Sequence, residues 1–286
     1  MPLDFGGPHA YHERMGDGFP EFARRPDEAL DLVEGALLIA REAYPGLDLP
    51  RYRAKLDRLG EEARRNLPAK AGPAAAVSGL NEFLFGRAGF RGNNEDYYDP
   101  RNSYINDVLD RRLGIPITLS ILYCAVARRV GLPAAGVGFP GRYLVKCRAG
   151  RREMLVDCFD GRVLARKDCQ KLLDSMYGGR LKLSDAMLRD SGPRETLARV
   201  LNNLKGVYFG RKEFDRAGRF VDLSEGLLPG LPEHARDRGM VFLGQEQFGK
   251  ALERLEEYLR LAPKAPDAST VRRHVRMTRT LLCHLN

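Results

Sequence analysis

The sequence contains no tryptophan, and no histidine stands between His12 and His234. The middle of the chain therefore offers no imidazole as a proton acceptor or metal ligand. The five cysteines, Cys124, Cys147, Cys158, Cys169 and Cys283, are an odd number with no close pair. That argues against a disulfide framework and against a cysteine-bound metal, and it predicts reduced thiols with no metal and no cofactor. Long apolar runs are also missing, since no stretch approaches the ~18 residues of a membrane span. The opening residues, MPLDFGGPHAYHERMGDG, have neither a basic start nor an apolar segment, so they do not read as a secretory signal. A cytoplasmic protein with no membrane partner is the expectation.

What is present is charge, unevenly spread. The chain of 286 residues has a net charge of +9, and its length suits one large or two modest domains. Residues 1–110 carry 14 Lys/Arg against 19 Asp/Glu, residues 111–190 carry 16 against 7, and residues 191–286 carry 17 against 12. The excess falls on the middle segment, in Arg142, Lys146, Arg148, Arg151 and Arg152 among others. A solvated strand surface explains such a run; a docking face for an acidic protein partner is the sharper reading. Only Tyr143 interleaves the run and no nucleic-acid module is visible, which argues against nucleic acid.

Along the chain, residues 1–25 are rich in Gly, Pro and charge and read as an extended arm. Helices are predicted over 26–43, 51–67 and 71–85, with Leu30, Leu37, Leu56, Leu59, Leu80 and Phe83 facing inward. A turn-rich polar run, Asn93 to Pro100, leads to a helix around Ile105, Val108 and Leu109. Gly114-Ile115-Pro116 breaks that helix and starts another over 117–130, nearly apolar all round and so buried. Residues 136–145 read as one strand, 154–159 as the next, and Asp160-Gly161 as a turn before a helix near Lys167. In the last quarter, Tyr208 and Phe242, Gly210 and Gly244, Phe214 and Phe248, Ala217 and Ala251, and Pro229 and Pro263 all recur at an offset of 34. That is the tetratricopeptide period, giving copies at 195–229 and 229–263 and a closing helix over 271–285.

The central motif carries a resemblance. Phe90, Gly92-Asn93, Tyr97-Tyr98-Asp99-Pro100, Asn102-Ser103, Asn106 to Leu109, Arg112, Gly114-Ile115-Pro116 and Gly136 to Gly141 resemble the transglutaminase-like core of the SirB-type family. This is a bacterial group in which tetratricopeptide repeats usually follow the core. The resemblance implies an α+β fold: an N-terminal helical cap, a papain-like core with a small antiparallel sheet, and C-terminal helical repeats. The domains would be an arm at 1–25, cap and core at 26–190, and repeats at 191–286.

Such a core uses a thiolate at a helix N-terminus, a histidine on the following strand and an acid on the next. The resemblance places the thiol's counterpart at Pro116, the histidine's at Arg142 and the acid's at Asp157. Proline offers no nucleophile, and arginine does not deprotonate in proteins. Many SirB-type sequences carry a histidine where this chain has Arg142. We expect Arg142 and Asp157 to pair, and Tyr97, Tyr98, Arg112 and Cys124 to line a groove over the degenerate site. Asp99 and Asn102 read as helix caps. Ser120 and Cys124 share a helix face, and a mid-helix thiol is usually inert. His9 and His12 lie far off in the arm. The reading is a non-catalytic pseudoenzyme that binds a protein partner through its basic face and its repeats. The alternative is a cysteine-dependent hydrolase or acyltransferase.

Overall fold

The computed structural model describes residues 18–67, 72–149 and 152–285. His9, His12 and most of the expected arm lie outside the described residues. The arm's end differs from expectation: α1, Phe19–Ala23, is a short helix that buries Phe19 and Phe22. Two large rings so close in sequence gain more by packing than by staying extended in water.

Three cap helices follow, α2 (Leu32–Ala43), α3 (Leu49–Asn66) and α4 (Pro73–Asn81). Asp31 starts α2 by accepting the Glu34 N–H at 2.8 Å, and Asp48 starts α3 by accepting that of Arg51 at 3.0 Å. The chain ahead of Asp31 makes only a 3₁₀ turn at Asp27–Ala29. α4 runs on into a π-helical turn, Glu82–Arg87.

The core begins with β1 (Arg91–Gly92), then α5 (Ile105–Arg111), β2 (Leu113–Gly114) and α6 (Pro116–Arg129). β1 and β2 pair in parallel over two residues. α6 is the central element: Ile117, Leu119, Ile121, Leu122, Tyr123, Val126 and Ala127 are all at most 2% exposed. Beside it lies an antiparallel meander of β3 (Ala134–Val137), β4 (Leu144–Ala149), β5 (Arg152–Asp157) and β6 (Arg162–Leu164), in that order. The single strand expected over 136–145 is two strands joined by a turn. Pro140 supplies no N–H for a ladder, and Gly141 takes φ +69°, a left-handed conformation that turns the chain. α7 (Arg166–Tyr177) covers the far face of the sheet.

The C-terminal part is all helical: α8 (Pro193–Gly210), α9 (Phe214–Leu227), α10 (Pro232–Gly244), α11 (Phe248–Leu261) and α12 (Ala268–Leu285). The period of 34 is visible in the backbone itself. Lys212 and Glu246 both take φ +59°, and the Glu213 and Gln247 N–H groups each donate to the carbonyl five residues back, Tyr208 and Phe242, at 2.9 Å. No described helix is long and apolar enough to cross a membrane.

The repeats are fused to the core. Leu197, Leu201, Leu204, Tyr208 and Phe220 belong to the same buried cluster as the residues of α2 and α6. The Tyr104 and Tyr208 hydroxyls meet at 2.9 Å. Arg194 donates to the carbonyls of Ala23 (2.9 Å), Arg25 (2.7 Å) and Leu227 (2.6 Å). Two repeats bury too little surface to stand alone; α8 serves both units. Leu197→Ala and Leu201→Ala should therefore each cost about 2–5 kcal/mol in a urea melt that remains one transition. Limited proteolysis should release no folded fragment starting near residue 193.

Candidate functional site

Pro116 opens α6 as its first helical residue, with φ already suited to the helix. Thr118 fixes that start: its hydroxyl accepts the Ile115 N–H at 3.2 Å and donates to the Asn102 carbonyl at 2.7 Å. The positive end of the helix dipole lies at Pro116, whose ring is buried and offers no nucleophile.

Asp157 ends β5 and is fully buried. Its Oδ1 accepts the N–H groups of Phe159 (3.0 Å) and Asp160 (3.4 Å). Its Oδ2 takes Arg142 Nε at 3.0 Å and Nη2 at 2.8 Å. The same Nη2 reaches Asp160 Oδ2 at 2.8 Å, and the guanidinium lies 4.9 Å from the centre of the Phe159 ring. Arg142 and Asp157 therefore meet as expected, and Asp160 and Phe159 complete their cluster. A doubly held guanidinium in this place is neither a base nor an open pocket.

Around this pair the polar run is a rigid collar. Asn93 Nδ2 donates to Asn102 Oδ1 at 3.1 Å, and Asn102 Nδ2 donates to the Asp96 carbonyl at 2.7 Å. Asp99 caps a 3₁₀ turn, Pro100–Asn102, through the Arg101 N–H at 2.9 Å, and pairs with Arg111 at 3.1 Å. Asn102 is not a cap but a buried strut, because its amide faces inward across the loop. The collar presents Tyr97 against Phe159, with ring centres 5.9 Å apart, and leaves Tyr98 71% exposed. A side chain at Gly92 would strike the Phe159 ring at 2.5 Å, so only glycine lets that ring sit beneath Tyr97. Burial raises the Tyr97 hydroxyl above its ordinary range despite the nearby Arg142.

Arg112 is not brought to this groove. It takes φ +60° at the end of α5 and lines a separate cleft between the cap and the core. Cys124 is not brought there either: it lies eight residues along α6 from Pro116, about 12 Å at the helical rise. Its thiol is pushed up to about 12 by burial, and that of Cys147 to about 11. Burial also raises Cys158 and Cys169. Ser120 spends its hydroxyl on the Pro116 carbonyl at 2.7 Å. Among the described residues no cluster of His, Cys, Asp or Glu is arranged to hold a metal.

The basic strand surface is also largely paired. Lys146 is 8% exposed and lies 3.1 Å from Asp190, which Arg148 also contacts. Arg199 of α8 donates to the carbonyls of Phe139 (3.0 Å) and Arg142 (3.1 Å), so the repeat helix grips the turn that carries Arg142. No sequence pattern marks Arg199 or Asp190 for these roles, because their partners are about fifty residues away. Asp160 was signalled only as the first half of a turn with Gly161.

A second surface feature adjoins the collar. Where core and repeats meet, a cleft of about 660 Å³ has a floor of Tyr44, Tyr104, Tyr208 and Phe220 and a rim of Arg101, Arg211, Arg216 and Arg219. Arg211 reaches the Tyr98 carbonyl at 3.5 Å, so the exposed tyrosine stands at the edge of this cleft.

Two measurements check this description. Under native conditions at pH 7, iodoacetamide should label only exposed Cys283, since a thiol at about 12 is ionised in roughly one molecule in 100,000. The four other thiols should label after denaturation. Burial alone would raise Asp99, but hydrogen bonds from the Arg101 side chain and backbone, with the charges of Arg111 and Arg101, hold it below its ordinary range. A carboxylate lowered by folding stabilises above its ordinary value and loses that contribution as pH falls through the folded one. Asp99→Asn should therefore be less stable than the parent at pH 7, and the gap should close below about pH 4.

Residues 50–202 match the Transglutaminase-like superfamily, and residues 204–276 match the Tetratricopeptide repeat. A UPF0162 protein of Xylella fastidiosa is 37% identical over 253 residues, covering 87% of this chain and 90% of the relative. A UPF0162 protein of Vibrio cholerae is 28% identical over 249 residues, covering 87% and 92%. F-box only protein 21 of Homo sapiens is 27% identical over 232 residues, covering 70% of this chain and 36% of that protein. No solved structure matches the chain.

Proposed function

The chain belongs to the UPF0162, SirB-type family of transglutaminase-like proteins with tetratricopeptide repeats, and from that premise we propose that it is a pseudoenzyme that works by holding a protein partner. Two observations carry this reading: the Arg142 guanidinium is held by Asp157 and Asp160 at 2.8 Å each, and α6 begins with proline instead of cysteine. Two of the three roles of a thiol triad are unfilled. Members of such a unit act together, so losing one costs about as much as losing all, roughly a million-fold. We divide the chain into a cap and core at 26–190 and a repeat unit at 191–286, with a cytoplasmic setting.

The partner surface we propose is the collar and the junction cleft beside it. Tyr98 is 71% exposed and Tyr97 42%, and Arg211, which lines the cleft with Arg216 and Arg219, reaches the Tyr98 carbonyl. Tyrosine and arginine are the side chains that most often anchor protein interfaces. The basic strand, where an acidic partner was expected to dock, has Arg142, Lys146 and Arg148 engaged internally. The junction arginines Arg101, Arg216 and Arg219 are paired too, and it is the exposed Tyr98 that favours the junction.

The purified protein should show no turnover in amine-incorporation, peptide-hydrolysis or amide-hydrolysis assays. Activity abolished by Cys124→Ala would overturn the reading and support the hydrolase alternative. A partner captured by site-specific photocrosslinking beside Tyr98 should be lost in Tyr98→Ala and in Arg211→Glu. A partner retained by both variants would remove the junction from its proposed role.

A further inference from the structure

Where α3 of the cap meets the core lies a second cleft of about 390 Å³. Its volume is within the usual range of small-molecule sites, about 300–1,000 Å³. The floor is apolar. Phe83, Phe90 and Leu109 are at most 5% exposed and belong to the main core, and Leu59 packs beside them. The rim is cationic, formed by Lys55, Arg58, Arg87 and Arg112.

The four cations differ in what they already hold. Lys55 lies 2.5 Å from Asp110, and Arg87 lies 3.0 Å from Glu82. Both are exposed pairs, which contribute little and exchange readily. Among the described residues, Arg58 and Arg112 have no carboxylate partner. Glu62 is the one acid that itself lines the cleft among the described residues.

Arg112 is the informative residue. It follows α5 in the left-handed conformation, φ +60° and ψ +19°. Glycine is the usual residue there, and a side chain costs about 1 kcal/mol in that conformation. Lys212 and Glu246 share the conformation, but in the tight turns of the repeats. At the end of α5 the strained residue carries a guanidinium over an apolar floor, with no internal ion pair to explain it.

We propose that this cleft binds a small amphiphilic anion: an apolar body seated on Phe83, Phe90 and Leu109, with a carboxylate, sulfonate or phosphate held by Arg112 and Arg58. Guanidinium forks suit such groups because they donate two parallel hydrogen bonds. The site is separate from the Arg142 cluster and from the junction cleft, and it stands whether or not the partner reading does.

The test is a fluorescence titration of the full-length folded protein with 8-anilinonaphthalene-1-sulfonate, an aromatic anion of suitable size. Saturable binding of one molecule per chain is expected. Decanoate should displace the dye, and uncharged decanol should not. Arg112→Gly should weaken binding about tenfold or more, the loss of a charge-assisted hydrogen bond. Because glycine relieves the backbone, this variant should melt no lower than the parent, so lost binding will not reflect lost folding. Arg58→Glu should also weaken binding, and Arg260→Glu, on the remote α11, should not. An affinity unchanged in both cleft variants, no saturable binding, or equal displacement by decanol would overturn the proposal.

Discussion

The centre of this structure is a carboxylate with no access to water. Asp157 lies at the end of a strand, fully buried, and a charge in that position is costly unless it is paired and hydrogen-bonded. Two backbone N–H groups and both donors of one arginine edge meet that need. The arrangement constrains its neighbours in turn. Arg142 must sit on the turn between β3 and β4, and Arg199 of the first repeat helix holds two carbonyls of that turn. Phe159 stacks under the guanidinium, Gly92 makes room for Phe159, and Tyr97 closes over it. Arg142 and Asp157 together serve as a buried strut between the β3–β4 turn and the end of β5.

The repeats depend on the same region. Helix α8 contributes Leu197, Leu201 and Leu204 to the main core and Arg199 to the Arg142 turn. A partner bound at the junction would therefore touch both units at once, and any rotation between them would have to break the Tyr104–Tyr208 contact and the Arg199 hydrogen bonds. Binding at this surface favours a rigid platform over a hinge.

Much of this was legible in the sequence. An apolar run opened by Gly114-Ile115-Pro116 and reading on to residue 130 is the pattern of a buried helix, and α6 is one. The offset of 34 marked the repeats, while their left-handed turns at Lys212 and Glu246 emerged only from the structure. The pairing of Arg142 with Asp157 followed from counterpart positions on neighbouring strands. What was not legible depended on distant partners or on local backbone chemistry. A β-rich composition concealed the turn at Pro140-Gly141. Asn102 looks like a cap in sequence, but Asn93, nine residues earlier, makes it a strut. Arg112 reads as one of a polar group with Tyr97, yet the left-handed end of α5 carries it to another cleft. The basic strand looked free because Asp190, which neutralises it, stands more than forty residues later.

The most direct test of this account is a double-mutant cycle on the buried pair, read by urea unfolding. Arg142→Met should destabilise by about 3 kcal/mol or more, because it leaves Asp157 charged and unpaired in the core. Adding Asp157→Asn should recover part of that loss, giving a coupling of at least about 1 kcal/mol. Additive effects, within about 0.5 kcal/mol, would contradict the claim that this ion pair is what ties the β3–β4 turn to the buried carboxylate.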